Sequence, residues 1–101
     1  MTEAITATTW VYVLIQNPEG SENIVGQHDP VNDISYIPTF LDKDSATQGS
    51  MHMAKQKGQK YEVQAIIYED LERFAAEGGF ILFLVDDEGN VIDKRAPKIP
   101  S

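Results

Sequence analysis

Gly78-Gly79-Phe80-Ile81-Leu82-Phe83-Leu84-Val85-Asp86-Asp87-Glu88-Gly89-Asn90 is the stretch whose reading decides the fold. Two glycines stop a helix, six consecutive apolar residues follow, and an acidic turn closes the segment. An apolar run of that length between turn formers is a buried strand. Phe80, Leu82 and Leu84 point to one side of it and Ile81, Phe83 and Val85 to the other, so both sides need a cover.

Just upstream, residues 68–77 carry the clearest helical pattern in the chain. Leu71, Phe74, Ala75 and Gly78 share a face, Glu69 and Arg73 stand four apart, and Gly78-Gly79 ends the helix. Before it, residues 61–67 alternate, with Tyr61, Val63, Ala65 and Ile67 inward and Glu62 and Gln64 opposite. Downstream, Asp87-Glu88-Gly89-Asn90 turns the chain into a hairpin arm at 91–94. Toward the N-terminus, residues 10–16 form a strand that is apolar on both faces, with Trp10, Tyr12 and Leu14 on one and Val11, Val13 and Ile15 on the other. Residues 17–33 are rich in turn formers, with Ile24-Val25 as a short return strand. Residues 35–41 make a strand in which Pro38 removes a donor. Asp42 or Asp44 then caps a helix running to Gln56 and stopped by Gly58, whose inward stripe of Ala46, Gly49, Ser50 and Met53 is small enough for close approach to the sheet.

The expected order is β-(β)-β-α-β-α-β-β. It describes an α+β domain with a small mixed β-sheet and two helices packed mainly on one face. Residues 1–9 read as a flexible lead, 10–94 as a single domain and 95–101 as a flexible, proline-broken tail.

The chain has 101 residues, enough for one core. Sixteen acids against eight bases leave a net charge of −8, which repels phosphate backbones and anionic lipid. Neither nucleic acid nor a membrane is therefore an expected partner. Cysteine is absent, which excludes disulfides, thiolate metal sites and cysteine nucleophiles. Residues 1–9 lack the basic and apolar regions of a secretory signal, and no apolar run approaches the ~20 residues of a spanning helix. A cytoplasmic location is expected.

Signals for chemistry are weak. His28 and His52 share no ligand spacing with each other, so no metal site is expected. The acidic tip at 86–90 lacks the alternating ligands and distal glutamate of a calcium loop. Gly78-Gly79 precedes a strand, whereas a phosphate-cradling loop follows one. Serines 21, 35, 45 and 50 show no nucleophile elbow. The reading is therefore not an enzyme, with no catalytic, cofactor-binding or metal residues and no cofactor.

Ile37-Pro38-Thr39-Phe40 and residues 83–92 resemble pieces of thioredoxin-like proteins, but two helices and a strand separate them and the redox cysteines are missing. Taken together, the opening strand, the turn-rich segment, Ile37-Pro38-Thr39-Phe40 running into Asp42-Lys43-Asp44-Ser45-Ala46, and the strand–helix–strand finish resemble the N-terminal domain of SseB-like proteins. They also resemble the import-associated Tic-type proteins. Over residues 10–92 that resemblance implies a non-enzymatic domain concerned with protein partners, secretion or chaperoning, and it carries over no catalytic residue.

Two short helices leave part of a doubly apolar sheet to be covered by something else. That points to a protein-binding or self-associating module, with a protein partner or a homo-oligomer such as a homodimer, and with Trp10 and Tyr12 as the candidate interaction face. The alternative from another class is a small-molecule-binding regulatory domain using the 17–34 loop as a lid.

Overall fold

The computed structural model describes residues 5–17, 23–53 and 57–96. Among these the order is β1 (Trp10–Gln16), β2 (Asn23–Ile24), β3 (Gln27–Asp29), β4 (Ile34–Thr39), α1 (Lys43–Gly49), a 3-10 turn (Ser50–His52), β5 (Tyr61–Ile67), α2 (Tyr68–Gly78), β6 (Ile81–Val85) and β7 (Val91–Arg95). The architecture is a small α+β fold.

Two ladders build the sheet surface, ordered β2-β1-β5 and β3-β4-β6-β7. β1 pairs antiparallel with β5 along its whole length, from Trp10 opposite Ile67 to Gln16 opposite Tyr61. β4 and β6 run parallel, and the other pairings are antiparallel. The ladders join where Phe40, just beyond β4, exchanges both backbone hydrogen bonds with Tyr12, at 2.8 and 2.9 Å.

The sequence reading puts both helices mainly on one face; the structure puts one on each. Val11, Val13, Ile15 and Leu82 pack with Tyr68, Leu71 and Ala75 of α2. Phe40, Phe83 and Val85 pack with Ala46 of α1. Leu82 and Phe83 are neighbours in one strand, so these clusters lie on opposite sides of the sheet. The physical reason is the double-sided apolar pattern of β1 and β6, which leaves water on one core face unless each face receives a helix. Leu82, Phe83, Leu84 and Val85 are all buried as a result, and β6 is the covered centre that its sequence predicts.

α1 ends at Gly49, earlier than Gln56, and after the 3-10 turn Met53 is extended. Close approach explains what α1 can bury. A Cβ on Gly49 would overlap the Phe40 ring and stand 2.9 Å from the Asp86 carbonyl. Asp42 caps this helix, its carboxylate accepting from the Ser45 N–H at 2.7 Å and from the Ser45 hydroxyl at 3.0 Å.

The glycine pair after α2 divides its work. Gly79 takes φ 76°, and the Phe80 N–H returns to the Ala75 carbonyl at 2.8 Å. Gly78 leaves room for the Phe80 ring, which a Cβ there would meet at 2.7 Å. At the other end of α2, Ile67 offers no side-chain cap. Residues 5–9, read as flexible from sequence, form a turn that does this job. The Thr9 and Ala7 carbonyls accept from the Tyr68 and Glu69 N–H groups at 2.9 and 3.0 Å, and Ile5 packs on the α2 cluster. Residues 1–4 and 97–101 of the expected tails lie outside the described residues.

Candidate binding surface

The two aromatics singled out from sequence sit side by side on β1 and have different surroundings. Tyr12 is half-buried against the Phe40 cluster, and its backbone is the hinge between the two ladders. Trp10 is 57% exposed. Its register partner is Ile67, while Tyr12 faces exposed Ala65. On the α1 side of the β1–β5 ladder, coverage therefore changes along the strands. Leu14 is buried and Val63 packs on the core at one end, while Trp10 and Ala65 meet solvent at the other.

Trp10 and Ile67 form a pair with no hydrogen bond directly between their backbones, because β1 turns its even-numbered groups toward Phe40 and Val25. Side chains come closest at such pairs. Trp10 shares its side of β1 with half-buried Tyr12 and buried Leu14. What residue order does not show is that this end of the face is exposed.

The other candidate chemistry disperses. His28 on β3 approaches Asp33 at 3.4 Å and Ser35 at 3.4 Å, a histidine–carboxylate–hydroxyl line that sequence spacing did not reveal. Asp33 is 93% exposed, so nothing holds the imidazole in a dry, oriented setting of the kind nucleophile activation requires. His52 lies far along the chain, its Cβ against the Gly89 turn, where Gly89 takes φ 86°.

The acidic tip is committed to its own turn. Asp86 Oδ1 accepts from the Glu88 and Asn90 N–H groups at 2.9 and 2.8 Å, and Oδ2 lies 3.4 Å from the Asn90 amide nitrogen. The Asn90 backbone bond, ahead of the others, holds the Asp86 carboxyl below its ordinary value. Asp29 behaves alike at the β3–β4 turn, its carboxyl held low first by the Asn32 side chain and then by the Val31 and Asn32 N–H groups.

A cleft of about 80 Å³ lies between Gln27, Tyr36, His52, Met53, Val85 and Val91. It is small beside the roughly 300–1,000 Å³ of drug-sized ligand sites. Of the 17–34 segment expected as a lid, residues 18–22 lie outside the described residues, while β2 is tied into one ladder and β3 into the other. A wider groove of about 550 Å³ runs along Ile5, Thr6, Tyr68, Glu72 and Arg95. Its cation, Arg95, is already held by Asp93 at 3.1 Å and by the Tyr68 hydroxyl. Burial in turn raises the Tyr68 phenol above its ordinary 10.0.

Among the described residues no helix is long and apolar enough to cross a membrane. The sequence profile of a family described as a domain of unknown function, DUF3110, matches residues 11–95. This match overturns the resemblance to SseB-like and Tic-type proteins, which spanned residues 10–92 with a single motif-like piece, the strand-to-helix segment at 37–46. No curated protein and no solved structure gives a significant match.

Proposed function

We propose, from the premise that the chain belongs to the DUF3110 family, that it is a non-enzymatic protein-binding module working through the outer end of the β1–β5 ladder. The observation that carries this is Trp10, largely exposed beside Ile67 and Ala65 on a sheet face whose remainder is core. Covering the exposed part of one tryptophan is worth roughly 3 kcal/mol at about 25 cal/mol per Å². Aromatic anchors of this kind dominate protein interfaces. The net charge of −8 supports a protein partner over nucleic acid or an anionic membrane surface, and a cysteine-free acidic chain suits the cytoplasm.

The test compares the wild type with Trp10→Ser and with Val31→Ser, an equally apolar control that is 88% exposed at the β3–β4 turn. Each purified chain is used as bait for partners. A partner lost with Trp10→Ser and kept with Val31→Ser supports the reading. Identical capture by all three chains sinks it.

A further inference from the structure

β5 is the last strand of its ladder, and among the described residues no other strand pairs with its outer edge. The direction of its backbone groups follows from its neighbours. Tyr12 turns its N–H and C=O to Phe40, the Asn17 N–H goes to the Lys60 carbonyl, and the Tyr68 N–H goes to the Thr9 carbonyl. By alternation Glu62, Gln64 and Ile66 bond to β1, so Val63 and Ala65 aim their N–H and C=O outward. The strand contains no proline and no lysine, and Glu62 is its one charge. These are the devices by which natural edge strands are normally blunted, and here they are missing.

We infer that this edge pairs with a second copy of the chain, β5 against β5 antiparallel, with Gln64 opposite Gln64 of the copy. The inference rests on the binding surface proposed above and names its occupant. In this register each of the seven residues of β5 stands opposite a residue of the copy. Val63 meets Ala65 of the copy and exchanges both N–H···O bonds with it, using the groups that point outward. Tyr61 stands beside Ile67 of the copy on the α1 side, which extends the apolar strip from Trp10 across the seam. Glu62 falls opposite Ile66, and the two Glu62 carboxylates stand roughly 14 Å apart at about 3.4 Å per residue. That exceeds the ~8 Å screening length of physiological salt. A slip of two residues in either direction shortens the overlap, and in one of them it also brings the two acids within roughly 8 Å of each other. For a chain of net charge −8 the chosen register is the one that keeps its own acids apart while using the whole strand.

Sedimentation equilibrium over a dilution series from millimolar to low micromolar tests this, with three variants beside the wild type. Ala65→Pro removes an outward N–H and leaves the β1 ladder bonds in place. Gln64→Lys and Gln64→Glu each put like charges directly opposite one another at the two-fold. The wild type is expected to dimerise, and each variant alone to self-associate roughly tenfold more weakly or worse. Mixing the Gln64→Lys and Gln64→Glu chains in equal amounts restores the dimer, which also shows that both are folded. A wild-type dimer indifferent to all three variants overturns the inference, and so does a mixture that stays monomeric. A wild type that is monomeric throughout, while Trp10-dependent capture persists, removes the second copy as occupant and leaves the binding reading standing. Loss of that capture as well removes both.

Discussion

The two outermost long strands of the sheet are defended differently. β7 places Asp93, Lys94 and Arg95 within five residues, and its pairing with β6 shifts register between Leu84 and Val85. Its charges are also tied down: Arg95 meets Asp93 at 3.1 Å, and the Lys94 ammonium lies 5.1 Å from the Phe83 ring centroid. Phe83 is stacked on its other flank by Tyr36 at 4.2 Å. β5 has the same role in the other ladder with one charge in seven residues and an exposed Ala65. Charge and bulges are what keep an edge from recruiting another strand. The two edges thus differ in charge and in regularity, and the pairing proposed above falls on the regular, nearly uncharged one.

The largest effect comes from asking whether the two ends are one cooperative unit. Leu71 of α2 is fully buried in a cluster that draws residues from both ladders, so Leu71→Ala is expected to cost about 2–5 kcal/mol. Urea unfolding followed by the lone tryptophan, at the β5 end, should coincide with the loss of far-UV ellipticity. Separate midpoints would show that the ends unfold independently and would break the comparison. Next in size is Gly49→Ala, which presses on the Phe40 ring and the Asp86 carbonyl at the junction of the ladders. A loss of about 1–3 kcal/mol, read as a lower thermal midpoint, is expected.

Acid should separate the ends more finely. Asp86 closes the β6–β7 turn and is held below its ordinary 3.8, so it binds its proton less readily folded than unfolded. Its contribution is present above the ordinary value and is lost as pH falls through the depressed one. Amide exchange at Glu88 and Asn90 should therefore rise in that acid window while exchange at Gln64 stays slow. Equal loosening at both places would deny that the turn is the acid-sensitive part. The smallest effect concerns the defended edge itself. Lys94→Ala removes the cation over Phe83 and should cost about 0.5–1 kcal/mol. It should also leave sedimentation unchanged, in contrast with the β5 variants.

Much of the scaffold was readable from residue order. The two-sided apolar pattern of β1 and β6, the Leu71 and Ala75 part of the α2 stripe, a cap at Asp42 or Asp44 and the Gly79 stop each follow from local geometry, whereas Phe74 of that stripe is exposed. Tyr68 was missed as a core residue because it stands at the helix start, where burial depends on what approaches. What approaches is the Ala7–Thr9 turn, whose sequence carries no periodic signal. The extent of α1 was overread because helix-compatible residues continue beyond Gly49. Packing of that glycine against Phe40 is a contact with a residue nine positions earlier, and no helical pattern reports it.

By itself the sequence determined that β6 is buried, that β1 is apolar on both faces, that 86–90 is a turn, and that Trp10 belongs to an apolar row. These are short-range matters, decided by periodicity and by glycine and aspartate geometry. Only the tertiary structure decided that the helices go to opposite faces, that Tyr12 is drawn into the joint with Phe40, and that β5 is left at the rim. Those outcomes depend on which strands pair, and pairing is settled by the burial of distant apolar surface rather than by any neighbour in the chain. The strand between the glycines and the acidic turn has both sides covered, one by each helix, while Trp10 at the far end of β1 is exposed.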